Sequence, residues 1–253
     1  MSEAPVLRLE RLAKRFGALV VTDDLSLDVM PGELHALIGP NGAGKSTLMK
    51  QLSGELEPDS GHINYFGRDI TRLSAAKRAR AGIARSYQIT SIFPEYTALE
   101  NVATVVQTKT TRGTAFLRRA AGDPSLDDRA MAFLSRVGLD HVASQLAADL
   151  AHGQQRQLEF AMALALEPRL LLLDEPMAGM GTEESAIMVQ LLKDMRGELP
   201  ILLVEHDMDA VFALADKVTV LVYGRAIASG STEAVRRDPA VREAYLGDDG
   251  DAS

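Results

Sequence analysis

Alternating and continuous apolar segments fill the first third of the chain. Hydrophobic and polar positions partly alternate over Val6 to Phe16 and over Leu25 to Val29, which is typical of strands with one buried face. The continuous apolar run from Leu34 to Ile38 predicts a strand that is buried on both faces. His62 to Phe66 predicts a further strand. We therefore expect this region to form sheets joined by turns.

The middle of the chain changes to a helical period. Apolar residues recur at i, i+3 and i+4 in Ala98 to Val106 and in Leu126 to Val137. A polar stretch between them is either a solvated face or a surface for lipid headgroups or a partner. Its basic residues are Lys109, Arg112, Arg118 and Arg119. We interpret the region as an inserted helical lobe.

The last third returns to alternating strands and helices. Leu170 to Leu173 and Ile201 to Val204 are continuous apolar runs, and a helical pattern from Thr182 to Arg196 separates them. This order predicts a parallel sheet that is covered on both faces. Lys217 to Val222 and Arg225 to Ala228 predict a closing hairpin around a Tyr-Gly turn.

Composition narrows the classes of protein that fit these elements. The 253 residues are 46% hydrophobic and 25% charged, which suits one large globular domain. With 27 basic and 35 acidic side chains, the net charge of −8 argues against nucleic acid as the main partner. Cysteine is absent, which excludes disulfides, thiolate catalysis and cysteine-bound zinc. No apolar run approaches the ~18 to 20 residues that span a bilayer, so we expect any membrane role to need partners.

A glycine-rich loop is the strongest chemical motif. Residues 39–46 fit G-x-x-x-x-G-K-[ST] between a predicted strand and a predicted helix, and this context distinguishes a phosphate-binding loop from a chance turn. Backbone N–H groups would surround phosphate oxygens, Lys45 would reach the β and γ phosphates, and Ser46 could bind magnesium. The predicted nucleotide-binding residues here are Gly39, Pro40, Asn41, Gly42, Ala43, Gly44, Lys45, Ser46 and Thr47.

Polar residues follow the predicted buried strands of the last third. Asp174 and Glu175 stand at the end of one such strand, where open α/β sheets hold their ligands. Beside a phosphate loop, Asp174 is placed to hold magnesium and Glu175 is the candidate general base, whereas alone the pair would indicate a helix cap. His206 follows the next predicted strand, and Gly153-Gln154 begins a predicted helix.

Taken in order, these motifs resemble the set that defines ATP-binding cassette (ABC) ATPases. The resemblance implies an α/β fold of the P-loop NTPase class, with a RecA-like core, an antiparallel β region and an inserted α-helical subdomain. The Walker A, Q-loop, signature, Walker B and H-loop motifs correspond to the phosphate loop, Gln88, Gly153-Gln154, Asp174-Glu175 and His206.

The resemblance also implies how the chain is organised. It predicts a single ABC ATPase domain with a flexible acidic tail. The expected ranges are 5–247 for the domain, 5–88 and about 155–230 for its core, about 89–154 for the helical subdomain, 231–247 for C-terminal helices and 248–253 for the tail.

Several stretches are similar in more detail to the ATP-binding subunits of branched-chain amino acid importers. The urea-importer branch looks much the same, so urea or another small organic solute is an alternative substrate. The similar stretches are residues 82–88, 153–156, 178–180, 205–208 and 244–247.

Single residues acquire roles through the resemblance, which implies ATP and Mg2+ as cofactors. Phe16 would stack on adenine, the alternative being a core aromatic. Gln88 would touch magnesium and the attacking water, and it leads into residues 93–96, the surface that receives the membrane subunits. His206 would contact the γ-phosphate. Two ATP molecules would lie between two head-to-tail subunits, and Gly153 and Gln154 of each subunit would cap the nucleotide of the other.

The signature departs from the usual family pattern. Residues 150–154 are Leu-Ala-His-Gly-Gln instead of Leu-Ser-Gly-Gly-Gln, so the serine hydroxyl that would bond the γ-phosphate is missing. Losing one charge-assisted hydrogen bond would cost about 1.5 to 3 kcal/mol unless His152 compensates. Gly181 stands where many members carry an aspartate. We expect a weaker half-site and altered communication between subunits.

These observations favour a peripheral ATPase subunit of an importer at the cytoplasmic face of the inner membrane. The implied partners are a second ATP-binding subunit, two integral membrane permease subunits and an extracytoplasmic solute-binding protein, with no nucleic acid. The alternative is a soluble ABC ATPase in assembly work, since the acidic charge argues against work on DNA. A third alternative is a P-loop kinase or GTPase, which predicts a substrate lid or a guanine-reading Asn-Lys-x-Asp string, and no such string occurs.

Overall fold

The computed structural model describes residues 3–86, 92–110 and 124–246. Strands and helices alternate along most of this range. In chain order they are β1 Leu7–Phe16, β2 Leu19–Val29, β3 Leu34–Ile38, α1 Lys45–Ser53, β4 Ser60–Tyr65, β5 Arg68–Asp69, α2 Ala75–Arg80, β6 Ile83–Arg85, α3 Ala98–Thr110, α4 Pro124–Arg136, α5 His152–Ala165, β7 Leu170–Asp174, α6 Thr182–Asp194, β8 Ile201–Val204, α7 Met208–Leu214, β9 Lys217–Val222, β10 Arg225–Gly230, α8 Thr232–Arg237 and α9 Pro239–Leu246.

The predicted strands and long helices are confirmed, with shifts at some ends. β3, β8 and β9 have the predicted bounds. β2 begins at Leu19 instead of Leu25, because antiparallel pairing with β1 continues to the pair of Phe16 and Leu19. The sequence patterns did not predict α2, β5 or β6, since segments of two to six residues are too short to establish a period.

Two sheets contain the strands. The first is antiparallel with the order β2-β1-β4-β5, and the second has the order β10-β9-β3-β8-β7-β6. Neighbouring strands from β9 to β6 in the second sheet are parallel, and β10 is an antiparallel edge. Every residue of β3, β7 and β8 is buried, which explains their continuous apolar runs. Because these strands are parallel, the segments after them meet at one edge of the sheet.

The chain divides into two compact units. One contains both sheets and is built from the described residues of Met1–Arg85, Arg169–Glu175 and Met195–Ser253. The other contains α3 to α6, from Ser86–Pro168 and Pro176–Asp194. This second unit continues past residue 154, where the predicted helical subdomain ends, because α5 packs on α3 and α4. No helix in the described ranges has both the length and the apolar character that crossing a membrane requires.

The core of the first unit joins its two sheets through α1. Leu9 and Ile63 of the antiparallel sheet, Leu48 of α1, and Leu172 and Leu202 of the parallel sheet belong to one buried cluster. Each is fully buried, which stabilises the fold by about 1.5 to 3 kcal/mol per side chain. The helix that follows the phosphate loop is therefore fixed by packing on both sheets.

A buried arginine closes the end of α1. Arg78 is 1% exposed, and its guanidinium donates hydrogen bonds to four backbone carbonyls. These belong to Gln51 (2.6 Å), Leu52 (2.9 Å), Thr71 (2.8 Å) and Leu73 (3.0 Å). Burial lowers the pKa of Arg78 from its ordinary value, and the charges of Asp69 and Glu57 oppose this shift. The charge at this helix C-terminus also complements the helix dipole.

Arg78→Met is expected to destabilise the protein by about 3 kcal/mol, because buried carbonyl groups lose their donors. Urea denaturation followed by circular dichroism measures the change. Arg80→Met is the matched control, since Arg80 is exposed on the same helix, and its effect should stay within about 0.5 kcal/mol. Equal effects of the two substitutions would contradict the assigned role of Arg78.

Candidate active site

The predicted phosphate loop connects β3 to α1, and its glycines have left-handed backbone conformations. The φ angles of Gly39, Gly42 and Gly44 are 153°, 79° and 104°. A Cβ atom on Gly39 would collide with the carbonyl oxygen of Leu221, and one on Gly44 with that of Val21. Gly42 has open space around it and needs glycine for its backbone angle alone. The loop thus keeps its shape by close contact with β2 and β9.

Lys45 is the first residue of α1 and is 7% exposed. Its Nζ donates hydrogen bonds to the carbonyl oxygens of Gly39 (2.5 Å) and Pro40 (3.0 Å). Burial lowers the pKa of Lys45, and the charges of Glu175 and Asp174 act against that shift. The ammonium group therefore lies across the loop and within the field of both acids.

The remaining loop residues differ in burial. Gly39, Ala43 and Gly44 are buried, as is Lys45, whereas the other loop residues are open to solvent to some extent. Exposed or partly exposed residues are Pro40, Asn41, Gly42, Ser46 and Thr47.

Asp174 ends β7 and is 3% exposed. Its Oδ2 accepts a hydrogen bond from Arg85 Nη2 at 2.9 Å, while the buried Oδ1 has no hydrogen-bond partner among the described residues. Arg85 also contacts Glu55 at 2.9 Å. No sequence pattern indicates this role of Arg85, because β6, the strand that places Arg85 beside β7, is too short to show a period.

The donor set fits a divalent cation. A buried carboxylate oxygen that lacks a proton donor suits Mg2+, which also accepts hydroxyl and phosphate oxygens. Within the described ranges no group of three or more His, Cys, Asp or Glu side chains could hold a metal ion. Hydroxyl groups, water and phosphate oxygens are further ligands that a magnesium ion beside Asp174 could accept, as magnesium does in nucleotide sites.

Glu175 directly follows β7 and has a left-handed backbone with φ of 51°. Its N–H donates a hydrogen bond to the carbonyl oxygen of Val204 at 2.9 Å. This conformation is unfavourable for a residue other than glycine and is typical of functional positions. It also gives the two adjacent acids different surroundings, since Glu175 is partly exposed and Asp174 is buried.

His206 lies just after β8, at the same edge of the sheet. Its side chain is 66% exposed. The neighbouring Glu205 is fully buried, and its Oε2 accepts a hydrogen bond from the backbone N–H of His206 at 3.1 Å. The same carboxylate oxygen lies 3.7 Å from His206 Nδ1. Asp207 then caps α7 by accepting hydrogen bonds from the N–H groups of Asp209 and Ala210. Glu205 is a neighbour that the sequence analysis did not single out.

Phe16 is the last residue of β1. Its side chain is 49% exposed, and Lys14 Nζ lies 5.7 Å from the ring centroid. The alternative of a core aromatic is therefore wrong, because the strand end projects beyond the packed part of the sheet.

The predicted signature residues begin α5 in the second unit. The Gln154 side chain accepts a hydrogen bond from the N–H of Ala151 at 3.1 Å. A Cβ atom on the buried Gly153 would collide with the carboxyl group of Glu184, so a larger residue there would require the Glu184 side chain to move. The ring atom Cε1 of His152 would lie 3.2 Å from a Cβ atom on Gly179.

Some residues that the sequence singles out lie outside the described residues. They are Gln88, the basic residues from Arg112 to Arg119 and the tail at 248–253.

Comparison with known proteins decides the family. The sequence profile described as ABC transporter matches residues 22–178. LivG of Salmonella typhimurium, a high-affinity branched-chain amino acid transport ATP-binding protein, is 38% identical over 96% of this chain and 98% of its own length. BraF of Pseudomonas aeruginosa, of the same description, is 36% identical over the same shares. The chain belongs to the ABC transporter family.

The structural comparison agrees with this assignment. A crystal structure of the ADP conformation of an ATP-binding cassette of an ABC transporter has a TM-score of 0.84 and 29% identity, over 96% of this chain and 99% of that one. A second profile, described as branched-chain amino acid ATP-binding cassette transporter, matches residues 227–251. The predicted family, fold class and ATP-hydrolysing activity of this ABC ATPase are confirmed.

Alanine substitutions at Gly44 and Gly42 distinguish two reasons for glycine in the loop, a lack of space for a side chain and a left-handed backbone. Gly44→Ala should unfold at a lower temperature than Gly42→Ala, because only the first side chain would collide with a backbone carbonyl. We expect about 1 kcal/mol of destabilisation for Gly42→Ala, and at least about twice that for Gly44→Ala. Thermal and urea unfolding measure both variants, and equal stabilities would refute the steric explanation.

Proposed function

We propose that this chain is the ATP-hydrolysing subunit of an importer for branched-chain amino acids. The observation that supports this substrate is the match of residues 227–251 to the branched-chain amino acid cassette profile, together with the full-length similarity to LivG and BraF. Residues 5–247 would act as one catalytic domain. The proposal includes a second ATP-binding subunit, two membrane permease subunits and an extracytoplasmic solute-binding protein, with this chain peripheral on the cytoplasmic face of the inner membrane.

The proposed chemistry starts from the phosphate loop. Loop N–H groups and Lys45 would bind the β and γ phosphates. The hydroxyl of Ser46 and Oδ1 of Asp174, which has no partner among the described residues, would hold Mg2+. The bound cation would neutralise charge on the phosphates during transfer. Gln88 is proposed as a further contact to the cation and the attacking water, and Phe16 as the residue that stacks on adenine.

Glu175 is the proposed general base. A carboxylate at this position takes a proton from water as the water attacks the γ-phosphorus, while the bond to the leaving ADP oxygen breaks. His206 would donate a hydrogen bond to the γ-phosphate, and Oε2 of the buried Glu205 lies 3.7 Å from its Nδ1. Gly153 and Gln154 would complete the site of the neighbouring subunit from the N-terminus of α5.

A small aromatic surface is the proposed contact with the permease subunits. The exposed rings of Phe93 and Tyr96 lie 5.3 Å apart between centroids. The fully buried Asn101 fixes this segment, because its side chain bonds to both the N–H (2.7 Å) and the carbonyl oxygen (3.0 Å) of Phe93. A rigid exposed aromatic pair of this kind suits an interface with a helix of a partner.

Glu175→Gln should abolish turnover while leaving ATP binding intact. Loss of the general base is expected to reduce the rate of phosphate release at least about 100-fold. ATP should still bring two copies together, or this chain and its partner ATPase, in size-exclusion chromatography. Glu243→Gln serves as the control because Glu243 is an exposed carboxylate on α9. Retained ATP hydrolysis in Glu175→Gln would contradict the role of Glu175 as the general base.

Uptake by cells with a chromosomal Lys45→Ala substitution tests the substrate. We expect the uptake of labelled leucine to fall at least about tenfold, because nucleotide binding is lost, while urea and aromatic amino acid uptake stay unchanged. Lys50→Ala is the matched control, since Lys50 is an exposed lysine of the same helix α1. Loss of urea uptake with normal leucine uptake would contradict the proposed substrate but not the proposed role as the ATPase subunit of an importer.

A further inference from the structure

A two-residue turn adjoins the phosphate loop on the side away from the catalytic acids. Tyr223 and Gly224 connect β9 to β10, and the flanking residues Val222 and Arg225 pair across the hairpin. Both turn residues have positive φ, 46° and 80°. Positive angles at both central positions define a type I′ hairpin turn, which strongly favours Asn-Gly.

This turn is bonded to the nucleotide-binding segment on one side and to β2 on the other. The N–H of Gly224 donates a hydrogen bond to the carbonyl oxygen of Ala43 in the phosphate loop at 2.9 Å. The carbonyl oxygen of Gly224 accepts one from the N–H of Asp23 in β2, also at 2.9 Å. A Cβ atom on Gly224 would lie 2.7 Å from the carbonyl oxygen of Val21. The residue before Gly224 is therefore held at a fixed place beside the loop.

Neither the turn nor the core accounts for a tyrosine at position 223. The left-handed conformation disfavours a bulky aromatic residue, and asparagine or glycine would adopt it at lower cost. The side chain is 85% exposed, so its ring adds little to the packing of the fold. An unfavourable residue in a rigid turn at a ligand site points to a contact with the ligand.

The order of strands indicates which part of a nucleotide comes near. β3, which leads into the phosphate loop, lies between β9 and β8. Glu175 and His206 follow β7 and β8 on one side, and Tyr223 follows β9 on the other. A nucleotide whose γ-phosphate faces the catalytic side extends its ribose and base toward the turn. Phe16 ends β1, and β1 pairs in a hairpin with β2, the strand whose Asp23 is hydrogen-bonded to this turn.

We propose that Tyr223 is a second base-contacting residue, which places its ring against the ribose and adenine opposite the contact of Phe16. The inference rests on the proposed roles of Lys45 and Phe16 in nucleotide binding. Its chemistry is the apolar and π contact that aromatic rings make with a nucleobase, a contact that tolerates loss of the phenol hydroxyl.

Titration calorimetry of the purified full chain with ADP and with inorganic tripolyphosphate tests the proposal. ADP lacks the γ-phosphate that joins the two subunits in the proposed dimer, so the titration is designed to report contacts within one chain. We expect Tyr223→Asn to raise the Kd for ADP about 5- to 20-fold and to leave the Kd for tripolyphosphate within about twofold. Tyr223→Phe keeps the ring and should bind ADP within about twofold of the unaltered chain.

A thermal measurement separates a ligand contact from a structural role. Asparagine suits the left-handed position, so Tyr223→Asn should raise Tm by about 1 to 4 °C even as ADP binding weakens. A lower Tm combined with equal losses of ADP and tripolyphosphate affinity would overturn the proposal, because it would indicate damage to the phosphate loop. Unchanged ADP affinity in Tyr223→Asn would overturn it as well.

Parallel titration of Lys45→Ala and Phe16→Ala shows which hypothesis fails. Weaker ADP binding in both variants, with normal binding in Tyr223→Asn, refutes only the role of Tyr223. Normal ADP binding in all three variants refutes the nucleotide site itself.

Discussion

The close approach of the phosphate loop to two neighbouring carbonyl groups constrains the whole nucleotide-binding unit. Gly39 and Gly44 leave no room for a side chain, because the carbonyl oxygens of Leu221 and Val21 occupy that space. The loop is therefore held between β9 of the parallel sheet and β2 of the antiparallel sheet. Gly224 reinforces this arrangement through its hydrogen bond to Ala43. A phosphate-binding loop must keep its N–H groups available to donate hydrogen bonds to phosphate oxygens. Because those N–H groups cannot also form helix or sheet hydrogen bonds, contacts with neighbouring strands must hold the loop in shape.

The two buried charges at the loop, those of Lys45 and Asp174, each lie beside polar groups of opposite character. Lys45 is buried against two carbonyl oxygens and within the field of Asp174 and Glu175. Asp174 is paired with Arg85 through one oxygen, and the other has no donor in the part of the chain that the structure describes. An unpaired buried carboxylate oxygen is costly in a low-dielectric interior, so its retention at the end of β7 is consistent with a cation that binds there.

The second unit has a close contact of another kind, between a glycine and a side chain. Gly153 packs against the carboxyl group of Glu184, which also accepts a hydrogen bond from the N–H of Gly181. The first turn of α5 and the segment before α6 are thus in contact. His152, the residue that departs from the usual signature, lies against Gly179 of that same segment. The substitution therefore changes a contact within the unit as well as the group that a neighbouring subunit would meet.

The sequence alone determined the elements whose signals are local. The strands over Leu34–Ile38 and Ile201–Val204, and the loop that begins at Gly39, follow from continuous apolar runs and from glycine spacing, which are properties of neighbouring residues. Only the tertiary structure revealed the partnership of Arg85 with Asp174 and of Gly224 with Ala43. These contacts join residues that are far apart along the chain, and they depend on the order of strands in the sheet, which hydrophobic periodicity does not encode. The exposure of Phe16 and Tyr223 was decided in the same way, because burial depends on what the rest of the chain packs against each ring.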